Sequence, residues 1–258
     1  MVSFFVAEFS YTNLLFVSKY TSVRHTIAKN KKKEVIELKS PFVYALQQPS
    51  NFDPNKKYPA LFLMHGMGSN ERDLLSLVRG LEDTFYIFSI RGPLSQPPGY
   101  AFFTIEGYGK PHRDVFDHSI GQLTHFLDYA SENYPIDPEE IYLLGFSQGA
   151  IVAMTLGLTL GERIKGIVAL SGYLPFFVKE EYDIKSIQNL SIFISHGVND
   201  PVLPYEWGVE SRTFFEKQGA NVSFHSYPEG HHVSLQNYRD LMEWITNNLE
   251  IGGNQNGK

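Results

Sequence analysis

The chain contains no cysteine and no apolar run long enough to cross a bilayer. The first absence excludes disulfides and thiolate chemistry and fits a reducing compartment, so we expect a cytoplasmic protein. The second falls short of the roughly 20 residues that a membrane-spanning helix needs, so we expect no stable membrane insertion. Positive charge is also scarce, because the chain has 22 Lys and Arg but 28 Asp and Glu, which gives a net charge of -6. An acidic chain is a poor candidate for a nucleic-acid surface, so we predict no nucleic-acid partner.

The chain has 258 residues, of which 43% are hydrophobic. This composition is typical of an ordinary globular protein. Apolar runs alternate with segments of helical periodicity, which predicts a mostly parallel central sheet with helices on both faces. The predicted strands span 35–46, 58–64, 84–90, 141–144, 166–170, 190–195 and 222–227. The predicted helices span 70–80, 115–133, 150–156, 204–218 and 234–249.

We assign residues 34–250 to one domain, preceded by an extension and followed by a short tail. The extension, residues 1–33, is rich in aromatics but has no basic start and no clear cleavage site, so a signal peptide is disfavoured. It is either a segment that packs on the domain or the product of a start codon placed too far upstream. Its aromatics could cover the site or mediate a homodimer. The Gly- and Asn-rich tail, residues 251–258, is predicted to be disordered.

The most informative stretch is Gly145-Phe146-Ser147-Gln148-Gly149, which lies between an apolar strand and a tightly packed helix. Strand, Gly-x-Ser-x-Gly and helix form the context of a nucleophile elbow, whose sharp turn strains the serine backbone. The glycines lack a Cβ and let the strand and the helix approach closely. Because this short pattern is common in glycine-rich turns, the interpretation of Ser147 as a nucleophile depends on partners.

A serine nucleophile needs a histidine base and a carboxylate that orients this base, and in such sheets the chain order is Ser, acid, His. Asp200 lies in the loop after the strand at 190–195, where the acid is expected. Asp183 precedes that strand and Glu206 falls within the next helix, so both are worse placed. An Asp before Pro is also a common turn residue, which is the alternative for Asp200.

The base is expected in the loop after the last strand, where His231 and His232 are neighbours. His225 lies within the strand and is more typical of a packed or surface histidine. The residues alone therefore leave two candidates for the base.

An oxyanion hole would complete the site, because backbone N–H groups stabilise the charge that builds on a carbonyl oxygen. One donor is the residue after the nucleophile, Gln148. The other should come from the glycine-containing loop after the strand at 58–64, and we assign it to Met67. His65 and His196 are expected to hold their loops by hydrogen bonds rather than to take part in the chemistry.

Several longer motifs contain these residues: Leu63-Met64-His65-Gly66-Met67-Gly68-Ser69-Asn70-Glu71, Arg91-Gly92-Pro93, Gly99-Tyr100-Ala101-Phe102-Phe103, Gly145-Phe146-Ser147-Gln148-Gly149-Ala150, His196-Gly197-Val198-Asn199-Asp200-Pro201-Val202-Leu203-Pro204 and Gly230-His231. With them the chain resembles the α/β-hydrolase superfamily. Within it, the chain is similar to the carboxylesterase/phospholipase family, which includes acyl-protein thioesterases and small bacterial esterases.

The resemblance implies an α/β-hydrolase fold and a role for each matching residue. Ser147 corresponds to the nucleophile, Asp200 to the orienting acid and His231, rather than His232, to the base. Met67 and Gln148 correspond to the oxyanion-hole donors. Two departures fall near the pocket, since Ser69 replaces a second glycine and Phe102 stands where tryptophan is frequent.

The segment 93–113 is rich in Pro, Gly and aromatics, and we expect Tyr100, Phe102 and Phe103 to line the substrate pocket. With no large insertion over the site, we predict a carboxylesterase that acts on small esters of short to medium acyl chain. The alternatives are a thioesterase or lysophospholipase with the same residues, and a non-catalytic binding protein on the same fold.

No cofactor is needed for this chemistry, and we predict none. His112, Asp114 and His118 could suggest a metal, but they run into a helix and their spacing fits no strong ligand pattern. We therefore predict no metal site.

Overall fold

An eight-stranded sheet forms the centre of the molecule in the computed structural model, which describes residues 15–17, 22–23 and 38–253. The strands are β1 (Leu15–Val17), β2 (Ser22–Val23), β3 (Leu38–Lys39), β4 (Tyr44–Gln47), β5 (Tyr58–Met64), β6 (Tyr86–Ile90), β7 (Leu94–Gln96), β8 (Gly99–Ala101), β9 (Ile105–Gly107), β10 (Lys110–Pro111), β11 (Ile136–Phe146), β12 (Gly166–Leu170), β13 (Ser191–Gly197) and β14 (Asn221–Tyr227). The helices are α1 (Arg113–Asn133), α2 (Gln148–Leu160), α3 (Phe176–Glu181), α4 (Tyr205–Lys217) and α5 (Leu235–Gly253), with short 3₁₀ helices at Asp73–Val78 and Gly161–Arg163.

The strand order in the large sheet is β1-β4-β6-β5-β11-β12-β13-β14. The pairs from β6 to β14 are parallel, whereas β4 pairs antiparallel with β6 and with β1. This confirms the predicted mostly parallel sheet. The carboxyl ends of β5, β11, β13 and β14 therefore meet at one edge, where the loops that carry the predicted site residues begin.

The core lies on both faces of the sheet because successive side chains of a strand point in opposite directions. In β5, Phe62 packs in one cluster with residues of α1 and α2, while Leu61 and Leu63 pack in a second cluster with residues of α5. Both faces are covered by helices, which explains why the central strands read as continuous apolar runs rather than as alternating ones.

The first predicted strand is wrong over part of its length. Instead of one strand at 35–46, β3 and β4 are separated by a turn at residues 40–43. The buried hydroxyl of Ser40 donates to the carbonyl of Phe42 and accepts from its amide, which closes the chain into this turn. Residues 35–37 lie outside the described residues.

Two further elements differ from the predictions. The predicted helix at 70–80 is a six-residue 3₁₀ helix, because the carbonyl of Asn70 accepts from the amide of Asp73 and its side chain accepts from the amide of Arg72. The segment 93–113 was predicted only as a loop, but it forms two short hairpins, β7–β8 and β9–β10. Strands of two or three residues are too short to show a period of two in the sequence.

The chain ends are described only in part. From the predicted extension, β1 pairs with β4 at the edge of the large sheet and β2 pairs with β3, while the aromatics at positions 4–11 and 20 lie outside the described residues. α5 continues to Gly253, and residues 254–258 of the predicted tail lie outside as well. Among the helices that are described, none is long and apolar enough to cross a membrane.

Candidate active site

Ser147 occupies a strained turn between β11 and α2. Its backbone has φ 53° and ψ −116°, a conformation that L-residues other than glycine rarely adopt. The turn is tight on both sides, because a Cβ on Gly145 would lie 2.2 Å from the carbonyl of Gly149 and one on Gly149 would lie 1.8 Å from the carbonyl oxygen of Met64. The amide of Ser147 donates to the carbonyl of Leu170 at 2.8 Å, which ties the turn to the neighbouring strand.

Three of the predicted residues form a continuous chain of hydrogen bonds. His231 Nε2 lies 2.9 Å from Ser147 Oγ, and His231 Nδ1 lies 2.6 Å from Asp200 Oδ2. The Asp200 side chain is 0% exposed and that of His231 is 13% exposed, so the histidine reaches towards solvent and the aspartate does not. The residues come from the loops after β11, β13 and β14, as the chain order Ser, acid, His requires.

Asp200 is held as a carboxylate by its surroundings. Burial by itself would raise the pKa of this carboxyl, but the hydrogen bond from His231 and the backbone amides of Leu203 and Val202 outweigh it and place the pKa below its ordinary value. Oδ1 accepts both amides, which leaves Oδ2 for the imidazole. A charged, fixed acceptor at Nδ1 selects the tautomer in which His231 Nε2 can accept a proton from Ser147.

The other histidines near this loop point elsewhere. His232 is exposed and its Nε2 lies 3.3 Å from Glu229. His225 stacks on Phe193 with ring centroids 4.6 Å apart and contacts Ser223. The structure therefore brings His231, and neither alternative, to Ser147.

The predicted oxyanion-hole donors are the backbone amides of Met67 and Gln148. Within residues 38–253, no group accepts a hydrogen bond from either amide. Both residues line the cavity that contains Ser147.

The loop that carries Met67 is anchored to β8. The amide of Gly68 donates to the carbonyl of Tyr100 at 2.8 Å, and the amide of Tyr100 donates to the carbonyl of Ser69 at 2.7 Å. Beyond the loop, the buried Glu71 accepts two hydrogen bonds of 2.6 Å from Arg91, whose guanidinium also lies 4.5 Å from the ring centre of Tyr100. The Met67 amide is thus positioned by a chain of contacts that ends in an ion pair.

The side chain of Gln148 has a second task that the sequence analysis missed. Its Oε1 accepts from the amide of Phe102 and its Nε2 donates to the carbonyl of Phe103, each at 2.7 Å. The residue is buried, so these bonds satisfy its amide group. Gln148 therefore connects the nucleophile turn to the wall of the cavity.

His65 and His196 hold loops in the way that the sequence predicted. His65 Nδ1–H donates to the carbonyl of Gly66 at 2.7 Å, and Nε2 accepts from the amide of Gly92 at 2.9 Å. His196 Nε2–H donates to the carbonyl of Leu203 at 2.9 Å, beside Asp200. Burial lowers the pKa of both imidazoles, which keeps them neutral donors.

A cavity of about 560 Å³ opens beside Ser147 and His231. Its wall is mainly apolar and aromatic, with a few polar groups, and consists of Gly66, Met67, Gly68, Ser69, Asp73, Gln96, Pro97, Pro98, Phe103, Ile105, Tyr108, Gly109, Phe146, Gln148, Ile151, Tyr173, Val202 and Leu203. A volume of this size accepts a small organic ligand.

Of the three predicted pocket residues, Phe103 lines the cavity, and the prediction is wrong for the other two. Phe102 is fully buried behind the wall, with its ring 5.0 Å from that of His65. Tyr100 lies on the far side of the loop, where its hydroxyl accepts from Arg91. Tyr100 belongs to β8 and Phe102 lies in the bend after it, so their surroundings are set by the tertiary contacts named above rather than by a local pattern.

Several wall residues were not predicted from the sequence. Tyr108 is 65% exposed at the tip of the β9–β10 hairpin, and Tyr173 follows the carboxyl end of β12, where its ring packs 4.9 Å from that of Trp207. The rule that ligands bind beyond the carboxyl ends of parallel strands would have pointed to Tyr173. Asp73 follows the Met67 loop, and no local pattern distinguishes it from an ordinary helix-starting aspartate.

The residues considered for a metal site do not come together. His112 Nδ1 lies 2.8 Å from the hydroxyl of Thr104. Across the described part of the chain, no group of three or more His, Cys, Asp or Glu side chains is arranged to hold a metal ion.

Comparisons with known proteins point to one family. Residues 52–249 match the family described as phospholipase/carboxylesterase. Acyl-protein thioesterase 1 of Candida albicans is 30% identical over 231 residues, which cover 81% of this chain and 99% of that protein. The protein of the same name from Debaryomyces hansenii is 28% identical and covers 74% of this chain and 91% of that protein. The crystal structure of the Bacillus cereus carboxylesterase superposes with a TM-score of 0.72 at 27% identity, covering 80% of this chain and 94% of that one.

Proposed function

Because this chain belongs to the phospholipase/carboxylesterase family, we propose that it is a serine hydrolase that cleaves carboxylic esters of short to medium acyl chain. Membership makes it a hydrolase of the carboxylesterase/acyl-protein thioesterase type with the predicted α/β-hydrolase fold. The observation that carries the finer proposal is the hydrogen-bonded chain from Ser147 through His231 to Asp200, at the wall of an apolar cavity.

The proposed reaction is an acyl-enzyme cycle. His231 Nε2 takes the proton of Ser147 Oγ while this oxygen attacks the ester carbonyl, and Asp200 stabilises the imidazolium that forms. The amides of Met67 and Gln148 bind the oxyanion. His231 then gives its proton to the departing alcohol. Water repeats the sequence on the acyl-enzyme and releases the acid.

The limit on acyl length rests on the size and the cover of the cavity. Between β12 and β13 the chain forms only α3, a helix of six residues, in place of a large cap. Phe177 of this helix packs on Phe116 with ring centroids 5.3 Å apart. A small cavity without a cap suits short and medium chains better than long ones. A steep rise in kcat/KM beyond about twelve carbons would contradict this proposal.

The nucleophile is tested by Ser147→Ala on p-nitrophenyl esters from acetate to palmitate. We expect kcat to fall by about 10⁴- to 10⁶-fold, because the variant keeps the cavity and the amide donors but has no nucleophile. An active parent whose Ser147→Ala variant retains its rate would exclude this serine.

The adjacent histidines supply a matched pair of variants for the base. We expect His231→Gln to lower kcat by several orders of magnitude and His232→Gln to leave it within about twofold of the parent, since only His231 reaches Ser147. Labelling of the parent by a serine-reactive phosphonate provides an independent readout. A folded parent that is neither labelled nor active on any ester would favour a binding protein on this fold.

Thioester hydrolysis is the second candidate, and the names of the two yeast relatives favour it. The same residues can attack either carbonyl, so the leaving group must be varied alone. Butyryl esters and butyryl thioesters of matched alcohols and thiols should be compared by kcat/KM, each relative to its rate of alkaline hydrolysis. A preference for the thioester above that reference would select this alternative.

A further inference from the structure

The cavity contains one carboxylate that the proposed reaction does not use. Among the described residues that line the wall, Asp73 and His231 are the only acidic or basic side chains, and these residues include no lysine or arginine. Because His231 is engaged with Ser147 and Asp200, the remaining charge on the wall is the negative charge of Asp73.

Asp73 is oriented by a hydrogen bond and forms no salt bridge with the cations that the structure describes. Its Oδ2 accepts a hydrogen bond of 2.6 Å from the hydroxyl of Ser69, which also lines the cavity. No salt bridge within the described residues includes Asp73, and the guanidinium of Arg91 is bound to Glu71 instead. Ser69 replaces the second glycine of the family pattern, so the group that orients this carboxylate is one of the departures of this chain.

The rest of the wall suits a cation as well. Phe103, Tyr108, Phe146 and Tyr173 present aromatic rings to the same cavity. Aromatic faces attract ammonium groups, and they do so more strongly where water is excluded. A carboxylate together with aromatic walls is a combination that binds an alkylammonium group and repels an anion.

We propose that Asp73 forms a cation subsite, so that the preferred substrates are esters with an ammonium group on the acyl or the alcohol part. This inference rests on the proposed function, because it concerns the selectivity of the same site. The preference is measured against a neutral ester of the same shape, in which a tert-butyl group replaces the trimethylammonium group.

The test compares two pairs of esters with the parent and with Asp73→Asn. One pair is choline butyrate and its tert-butyl isostere. The other is the aryl ester of an acyl chain that ends in trimethylammonium and the aryl ester of the chain that ends in tert-butyl. Selectivity is the ratio of kcat/KM within a pair, each value being divided by the rate of alkaline hydrolysis.

We expect the parent to favour the cationic member of at least one pair by about tenfold, the effect of one charge pair at a few ångströms in a partly wet site. Asp73→Asn keeps the shape and an acceptor for Ser69, and it should reduce the ratio to about 1. The pair that responds identifies the side of the ester that faces Asp73. Added salt should lower the ratio in the parent, a measurement that needs no variant.

Asp83→Asn is the matched control, because it removes the same charge from an exposed residue outside the cavity wall. It should keep the selectivity of the parent. A parent that hydrolyses the neutral esters without selectivity in either pair, or that keeps its selectivity in Asp73→Asn, overturns the inference and leaves the proposed function intact. A folded parent that hydrolyses no ester at all overturns the proposed function, and the inference with it.

Discussion

At the scale of the residue, Ser147 is the proposed nucleophile and has a strained backbone conformation. Its positive φ and its ψ of −116° place a side chain where glycine alone is unstrained. Such strain persists because the strand, the helix and the bond to Leu170 together fix the turn. The same turn places Ser147 on the cavity wall and its Oγ 2.9 Å from His231 Nε2, which is the arrangement that the proposed reaction uses.

We therefore expect Ser147→Gly to be more stable than Ser147→Ala. Alanine keeps the strained Cβ, whereas glycine relieves about 1–3 kcal/mol of strain and loses about 1 kcal/mol to the greater freedom of the unfolded chain. Urea unfolding of both inactive variants measures the difference. An alanine variant that is more stable than the glycine variant would contradict this expectation, because the strain would then be smaller than the cost of the glycine in the unfolded chain.

The residues of the proposed reaction could be predicted from the sequence, whereas the cavity wall could not. Ser147, Asp200 and His231 stand in a fixed chain order within recognisable loops, and the family resemblance chose between two adjacent histidines. Tyr100 and Phe102 were misplaced because the direction of a side chain in a short irregular hairpin depends on tertiary contacts. Composition alone suggested an aromatic pocket but not its members.

At the scale of the element, the ion pair of Glu71 and Arg91 secures the loop that carries Met67. Glu71 is 2% exposed and Arg91 is 29% exposed, so the carboxylate depends on its partner more than the guanidinium does. The hydrogen bonds from Arg91 outweigh burial and lower the pKa of Glu71. Removing the arginine leaves a buried charge without compensation.

We expect Arg91→Met to destabilise the fold by about 2–4 kcal/mol, and Glu71→Gln combined with Arg91→Met to recover part of this loss. Urea unfolding of the parent, the two single variants and the double variant measures the coupling. The same cycle should show a lower kcat with little change in KM, because in the proposed reaction this loop positions an oxyanion donor rather than the ground-state substrate. Additive stabilities in the cycle would contradict this role.

The elements most accurately predicted from the sequence were the buried ones. The strands at 58–64 and 166–170 have the predicted bounds, since continuous apolar runs between turn residues leave few alternatives. The strand that precedes Ser147 is longer than predicted, because it starts at Ile136, which pairs with Tyr58 before a register irregularity, and its regular pairing with β5 resumes at Ile141. The turn at Ser40 depends on one side-chain hydroxyl and left no signal in the hydrophobic pattern.

At the scale of the whole molecule, buried titratable groups link stability to pH. His65 and His196 have lowered pKa values in the folded protein, so below their ordinary pKa the unfolded chain binds protons that the folded protein does not. Stability is therefore fully present above about pH 6.5 and falls as the pH drops through that value. Asp200 and Glu71, whose pKa values are also lowered, extend the loss below about pH 4.

We expect the free energy of unfolding to decline between about pH 6.5 and 5 by up to 1.4 kcal/mol per pH unit for each proton taken up. His65→Asn should make the free energy of unfolding depend less steeply on pH. His232→Asn, at an exposed position, should leave this dependence unchanged. Urea unfolding at several pH values measures the slopes. A flat profile in the parent would mean that neither histidine is shielded from protonation.

The organisation into an extension at 1–33, a hydrolase domain at 34–250 and a tail remains a prediction, as do the cytoplasmic location and a homodimer. The pairing of β1 with β4 places part of the extension at the edge of the large sheet. This contact supports the alternative in which the segment packs on the domain.

The double use of Gln148 limits how the site can diversify. In the proposed reaction the amide of Gln148 binds the oxyanion, while its side chain bonds to the backbone of Phe102 and Phe103, so a change that moves this part of the wall would also disturb the proposed oxyanion donor. New specificities are therefore more accessible through the exposed hairpin tip at Tyr108. We therefore expect substitutions that alter substrate specificity without loss of rate to occur at this hairpin tip rather than on the part of the wall that is bonded to Gln148.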